Sequence, residues 1–107
     1  MSSPFDVIAI ITPKPGKADR VQELLSTAAE AVKRDEPGTL RYHLQRETKG
    51  HGVFVMLETY ANQAALETHG KSEAYKALSR AMKQEDLLAA PMKVLFTKEV
   101  AGFASKL

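Results

Sequence analysis

Residues Phe5 to Thr12 read Phe-Asp-Val-Ile-Ala-Ile-Ile-Thr, a β-rich run that is apolar at both parities: Val7, Ala9 and Ile11 on one side, Ile8 and Ile10 on the other. Successive side chains of a strand point to opposite faces, so this strand needs cover on both. At 107 residues, with 44% hydrophobic residues and a formal charge of +2, the chain has the size and composition of one small domain with one core. One core covers one face. The other set would meet water in a monomer, and a second copy's sheet is its simplest cover, because a short C-terminal tail hides little surface. A homodimer is expected from this strand.

Composition removes several functions together. The 15 basic and 13 acidic residues are interspersed from end to end, so no basic face for nucleic acid is expected. With no cysteine, the chain has no disulfide, thiolate nucleophile, iron–sulfur cluster or cysteine zinc site. The opening Met1-Ser2-Ser3-Pro4 lacks a basic segment followed by an apolar run, and no later run approaches the ~18 apolar residues of a membrane span, so a soluble protein with no membrane partner is expected. The last three residues, Ser105-Lys106-Leu107, match the tripeptide read by the peroxisomal import receptor. In a eukaryotic source they predict a peroxisomal protein with that receptor as a partner; otherwise the expected location is cytoplasmic. Residues 1–100 are expected to form the domain and 101–107 the tail.

Past the first strand, Pro13-Lys14-Pro15-Gly16 breaks the run, and Val21, Leu24, Leu25, Ala28, Ala31 and Val32 recur at helical spacing until Pro37-Gly38. Thr39 to Glu47 alternates Leu40, Tyr42 and Leu44 against Arg41, His43 and Gln45, and Val53 to Tyr60 follows the turn Lys49-Gly50-His51-Gly52, which predicts two antiparallel strands. Ala64 to His69 and Ser72 to Asp86 read as two helical pieces separated by Gly70, with Asn62 and Ser72 as N-caps. Pro91 then introduces a last strand through Met92, Val94, Leu95 and Phe96. The order β-α-β-β-α-β, with its second helix broken, predicts an α+β, ferredoxin-like antiparallel sheet with helices on one face.

Within this frame the stretch Glu58-Thr59-Tyr60, Ala64-Ala65-Leu66-Glu67, His69, Ser72 and Tyr75-Lys76-Ala77-Leu78, supported by Lys14-Pro15-Gly16-Lys17 and Pro37-Gly38, resembles the antibiotic biosynthesis monooxygenase (ABM) family. The likeness covers most of the domain and looks closest to the small quinol-monooxygenase branch. It implies a dimeric α/β barrel and oxygenation of a small electron-rich aromatic (quinol, anthrone, phenol or polyketide-like) by O₂, with no cofactor and no metal. Such chemistry is coherent, since a deprotonated aromatic enolate can pass an electron to O₂ itself and the protein need only bind, deprotonate and desolvate it.

His69 is the first catalytic candidate: an unperturbed imidazole suits proton abstraction near neutrality, and Leu66 and Ala65, three and four residues earlier, place it on the inward helical face. A histidine that merely holds helix to sheet has the same signature. Tyr60 and Tyr75 are catalytic candidates as hydrogen-bond donors to a substrate oxygen, or equally core tyrosines. Arg41, His43, Met56 and Leu66 are candidates for contacting substrate, although Arg41 and His43 share the strand's second face, where the polar part of a dimer contact is a plainer role than stabilising an oxyanion. Glu58 either braces His69 or is a surface acid at a strand end.

The chain also departs from the family. The anthrone-oxidising branch carries an asparagine and a tryptophan where Met56 and Tyr60 stand here. Arg80 falls at an arginine of that branch, but its phase against Leu78 and Met82 turns it outward. Ser79 replaces the haem-degrading branch's histidine, and the chain has no tryptophan. His43, His51 and His69 show no HExxH spacing. Two other functions remain open: isomerisation or degradation of a small signal molecule, and a non-catalytic stress-response module that binds a small hydrophobic ligand. A mostly apolar pocket favours oxygenase or binder, and converging charges on a phosphate-sized site favour the isomerase.

Overall fold

The computed structural model describes residues 3–107; Met1 and Ser2, on which part of the amino-terminal expectation falls, lie outside the described residues. Seven elements follow in order: β1 (Phe5–Ile11), α1 (Ala18–Asp35), β2 (Thr39–Arg46), β3 (Phe54–Tyr60), α2 (Gln63–Lys71), α3 (Glu73–Gln84) and β4 (Lys93–Thr97). The strands form one antiparallel sheet in the order β2-β3-β1-β4, so the two-sided apolar strand is central, as its composition requires. This is the expected ferredoxin-like arrangement.

The helices lie on one face. Val7, Ala9 and Ile11 of β1 and Phe54 and Met56 of β3 point to that side and are buried with Val21, Leu25 and Val32 of α1. Full burial of such side chains contributes about 1.5–3 kcal/mol each relative to exposure, which makes this layer the main source of stability. On the opposite face, Ile8 pairs with Leu57 and Leu95, and Ile10 with Val55 and Lys93. Among the described residues no helix or strand lies over those positions, and Leu95 is 40% exposed. After β4 the chain has no regular structure through Leu107, and Val100 and Phe103 stand out from the surface. Among the described residues no helix is long and apolar enough to cross a membrane.

Two local readings are corrected. The simple alternation expected of Leu40, Tyr42 and Leu44 fails at its start, because a register shift between Thr39 and Arg41 turns Leu40 out to 57% exposure and sets Thr39 opposite Tyr60. The break in the second helix falls at Ser72 rather than Gly70. Ser72 is extended (φ −68°, ψ 151°), donates its hydroxyl to the His69 carbonyl at 2.8 Å and accepts from the Tyr75 amide at 3.1 Å. One residue therefore ends α2 and caps α3, and Gly70 stays helical. Asn62 caps α2 as expected, accepting from the Ala65 amide at 2.9 Å.

Pro37-Gly38 stops α1 and brings the chain against α2. The Ala61 amide donates to the Gly38 carbonyl at 2.9 Å, and a Cβ on Gly38 would stand 2.7 Å from the Ala65 Cβ. That spacing is too short for two carbons, so α2 is seated on a position that must lack a side chain. Gly38→Ala is expected to push α2 off the sheet and to cost about 1–3 kcal/mol, seen as a lower midpoint in thermal unfolding followed by circular dichroism. An unchanged midpoint would show that the approach is not tight.

Candidate active site

His69 sits in the last turn of α2, buried to 6% exposure, with Nδ1 2.9 Å from Glu36 Oε1. Glu36 is the residue that closes α1 and is equally buried; the Thr39 hydroxyl donates to the same carboxylate oxygen at 3.1 Å. With a carboxylate at Nδ1, the neutral imidazole carries its proton there and presents the Nε2 lone pair. Nε2 makes no hydrogen bond within the described chain, and no fully buried side-chain polar atom lacks a partner, so Nε2 opens onto free space.

That space is a cavity of about 160 Å³ between sheet and helices. Val7, Ala9, Met56, Leu66 and Leu78 supply an apolar wall, Val94 and Phe96 of β4 its open side, and Tyr42, Glu58, His69 and Tyr75 its polar groups. All three tyrosines of the chain surround the imidazole: the ring centroids of Tyr42, Tyr60 and Tyr75 lie 5.3, 5.7 and 5.3 Å from that of His69. Tyr60, fully buried, stands behind this ring and donates its hydroxyl to Glu58 Oε1. Burial pushes the Glu58 carboxyl above the usual carboxylate range, partly offset by the Tyr60 hydrogen bond and the nearby His69. Burial likewise pushes the Tyr42 and Tyr60 phenols well above their ordinary range, reinforced for both by negative charge at Glu58. The site thus holds one carboxylate-oriented imidazole, one buried carboxyl whose ionisation burial opposes, and the Tyr42 and Tyr60 phenols, whose ionisation burial and Glu58 both oppose.

The strand and helix sequence that builds this cavity is shared beyond this chain. The model of the family described as antibiotic biosynthesis monooxygenase matches residues 4–81. The chain belongs to that family. Among ABM relatives, a candidate monooxygenase of Bacillus subtilis (strain 168), YcnE, is 31% identical over 84 residues, which is 77% of this chain and 86% of that one. A solved candidate ABM protein from Caulobacter crescentus superposes with a TM-score of 0.84 at 31% identity, covering 94% of this chain and 92% of that one. PA3566 from Pseudomonas aeruginosa gives 0.82 at 34% identity, with 94% and 98% covered.

Of the residues singled out in the sequence, His69, Tyr75, Met56 and Leu66 meet in the cavity wall, and Tyr60 lies directly behind it. Arg41 and His43 do not join them. They stand opposite Thr59 and Leu57 on the outer face of the sheet, exposed, with Arg41 Nε donating to His43 Nδ1 at 3.0 Å. Strand parity keeps them out of this cavity, on the second face where the sequence put them. Arg80 is exposed, as its helical phase required. Glu58 is not a surface acid: it shares the inward parity of Phe54, Met56 and Tyr60. Sequence reading missed Glu36 and Tyr42 altogether. A signal for Glu36 existed, since an acid closing a helix opposes the helix dipole and so asks for a compensating partner.

These phenols have a measurable consequence. A group whose pKa is raised on folding contributes stability below its unfolded value and loses that contribution as pH rises through the folded value. Tyr42 and Tyr60 should therefore stay neutral above pH 10 and ionise only as alkali unfolds the protein. In a spectrophotometric titration at 295 nm, both should appear within the unfolding transition, and Tyr42→Phe and Tyr60→Phe should each remove one late equivalent. Reversible ionisation of both near pH 10 in the folded protein contradicts this placement.

Proposed function

We propose that this ABM protein is a cofactor-independent monooxygenase that oxidises a small electron-rich aromatic at an acidic CH₂ or ring position. The observation that carries the reading is a histidine whose Nδ1 is fixed by a buried carboxylate while Nε2 faces an apolar cavity. His69 Nε2 takes a proton from the bound substrate, and Glu36 stabilises the imidazolium that results. The substrate carbanion or phenolate then passes one electron to O₂, and the radical pair combines to form a carbon–oxygen bond. Protonation of the peroxide and loss of water complete the change from CH₂ to C=O: one oxygen atom enters the product, and the other leaves as water with the two substrate hydrogens. The Tyr75 hydroxyl lines the cavity as a hydrogen-bond donor to a developing oxyanion. An apolar wall serves the electron transfer by keeping water from the anion. No lysine or arginine lines the cavity, which weighs against a site built around a phosphorylated signal.

The decisive experiment incubates the purified protein with anthrones, naphthols and quinols under ¹⁸O₂ and reads label in the product by mass spectrometry. Incorporation above the non-enzymatic background is expected, and none with any panel member overturns the reading. His69→Asn keeps an amide near the place of Nδ1, so Glu36 retains a donor while Nε2 is lost. Turnover should fall by about 10²-fold or more while the protein stays folded. His69→Ala should lower turnover similarly and also the thermal midpoint, since a buried carboxylate losing its partner costs about 3–5 kcal/mol. Turnover per folded molecule unchanged in His69→Asn would falsify the base assignment.

The working form is proposed to be a homodimer closed through the outer face, where Ile8, Ile10, Leu57 and Leu95 meet water in a single copy. Ile8→Lys at the centre of that face should give monomer or insoluble protein while Val7 and the helix-side core are untouched. A compact wild-type monomer at micromolar concentration by light scattering sinks the dimer.

A further inference from the structure

Next to the His69 cavity lies a larger apolar groove of about 530 Å³, and five residues, Ile11, Leu25, Tyr75, Leu78 and Met92, belong to the walls of both. With Asp86, the exposed partner of Lys14, also on its wall, the groove is lined along α3 from Tyr75, whose ring centroid is 5.3 Å from that of the imidazole, to Lys83. At 1.5 Å rise per residue those two positions are separated by roughly 12 Å. Lys83 also borders a shallower recess with Lys76 and Arg80.

Positions 76, 80 and 83 are spaced four and three residues apart, so the three cations form one stripe along a single face of α3. Like charges at this spacing repel, and the acids around them do little to compensate. Glu73 is 3.7 Å from Lys76, Glu85 is held by Arg20 at 2.9 Å, and Asp86 is paired with Lys14. Among the described residues neither Arg80 nor Lys83 forms an ion pair. A cationic stripe beside an apolar groove matches the charge and hydrophobicity of one kind of ligand.

We infer that the substrate is an amphiphilic anion: an aromatic body whose reactive ring enters the His69 cavity, with an acidic group about one groove length away held by Lys83 and Arg80. The inference rests on the oxygenase reading for its catalytic end and adds the substrate class. It also explains why cations stay outside the cavity. An ammonium or guanidinium beside Nε2 would oppose formation of the imidazolium, whereas roughly 12 Å away, at a wet rim, it steers and orients the ligand with little effect on proton transfer.

The test is a binding measurement that needs no turnover. 8-Anilinonaphthalene-1-sulfonate and N-phenyl-1-naphthylamine share one ring scaffold and differ by the sulfonate. Fluorescence titration should show the wild-type protein preferring the anionic dye by about tenfold or more, the size of a charge-assisted contact. The Arg80→Gln/Lys83→Gln variant should lose most of that preference by weakening the anionic dye alone, with an unchanged thermal midpoint. Lys33→Gln/Lys49→Gln, with the same change in net charge elsewhere, should keep it. 6-(4-Carboxyphenyl)-2-naphthol, whose acid lies about 12 Å from its hydroxyl and so matches the run from Tyr75 to Lys83, should displace the anionic dye, and 6-phenyl-2-naphthol should do so more weakly.

Equal affinities for the two dyes, or the same loss in the control variant, overturn the inference. So does displacement by inorganic phosphate alone, which would mark a simple anion site, and so does exclusion of both dyes, which would mark a groove covered by a second copy. Because ¹⁸O incorporation and its loss in His69→Asn are read separately, failure here leaves the oxygenase reading standing, and dye selectivity without oxygenation leaves only the binding surface.

Discussion

The buried pair between Glu36 and His69 is the interaction on which the site depends. Two helix ends that have no reason of their own to meet are tied at 2.9 Å, one contributing the carboxylate and the other the imidazole. The electrostatics of the ends are unequal. Closing α1 with an acid is unfavourable to that helix, whereas a histidine in the last turn of α2 is favourably placed whenever it carries charge. The imidazole thus lies between a buried carboxylate and the carbonyl end of the helix that carries it. The same contact fixes the ring, and around a fixed ring three phenols can be placed at defined distances.

The sheet supplies the other constraint by dividing its two faces between different tasks. On the helix side, β1 gives small and branched residues, Val7 and Ala9, which leave room for a cavity instead of filling it. On the far side Ile8 and Ile10 remain, with Leu57 and Leu95, as a surface without cover from the chain itself. A bulkier inward residue at Ala9 would exchange cavity for core, and a polar outward residue at Ile8 would interrupt the apolar outer surface. Both demands fall on the same seven-residue strand, which accounts for its lack of polar and apolar alternation.

Much of this architecture was legible because it follows from periodicity. The apolar spacing of α1, the Pro37-Gly38 stop, the caps at Asn62 and Ser72 and the central position of β1 all have local causes, and so did the inward turn of His69. What escaped were facts of parity and of meeting in space. Glu58 has the parity of Met56 and Tyr60, and a strand end did not make it exposed. The register shift beside Leu40 turned that one residue out of the alternation, whereas Tyr42 and Leu44 kept the face opposite Arg41 and His43 that the alternation required. Glu36 lies 33 residues from His69, and no spacing rule reaches across an entire strand hairpin. Only its awkward place at a helix end hinted that it had a partner.

The polar groups are arranged so that their unused capacity faces one way. Toward the protein each is engaged: His69 Nδ1 and the Thr39 hydroxyl with Glu36, the Tyr60 hydroxyl with Glu58, and Ser72 with both helix ends it joins. Toward the cavity, Nε2 is left without a protein partner. A free polar valence in an apolar space is costly unless water or a ligand meets it, whereas satisfied ones rigidify their surroundings. Nε2 shares that open side with the Tyr42 and Tyr75 hydroxyls, which also have no hydrogen-bond partner among the described residues, and the surrounding hydrogen bonds keep the imidazole from relaxing away. The orientation of the imidazole is thus fixed by the same bonds that tie the ends of α1 and α2 to each other and to the start of β2 and that join α2 to α3.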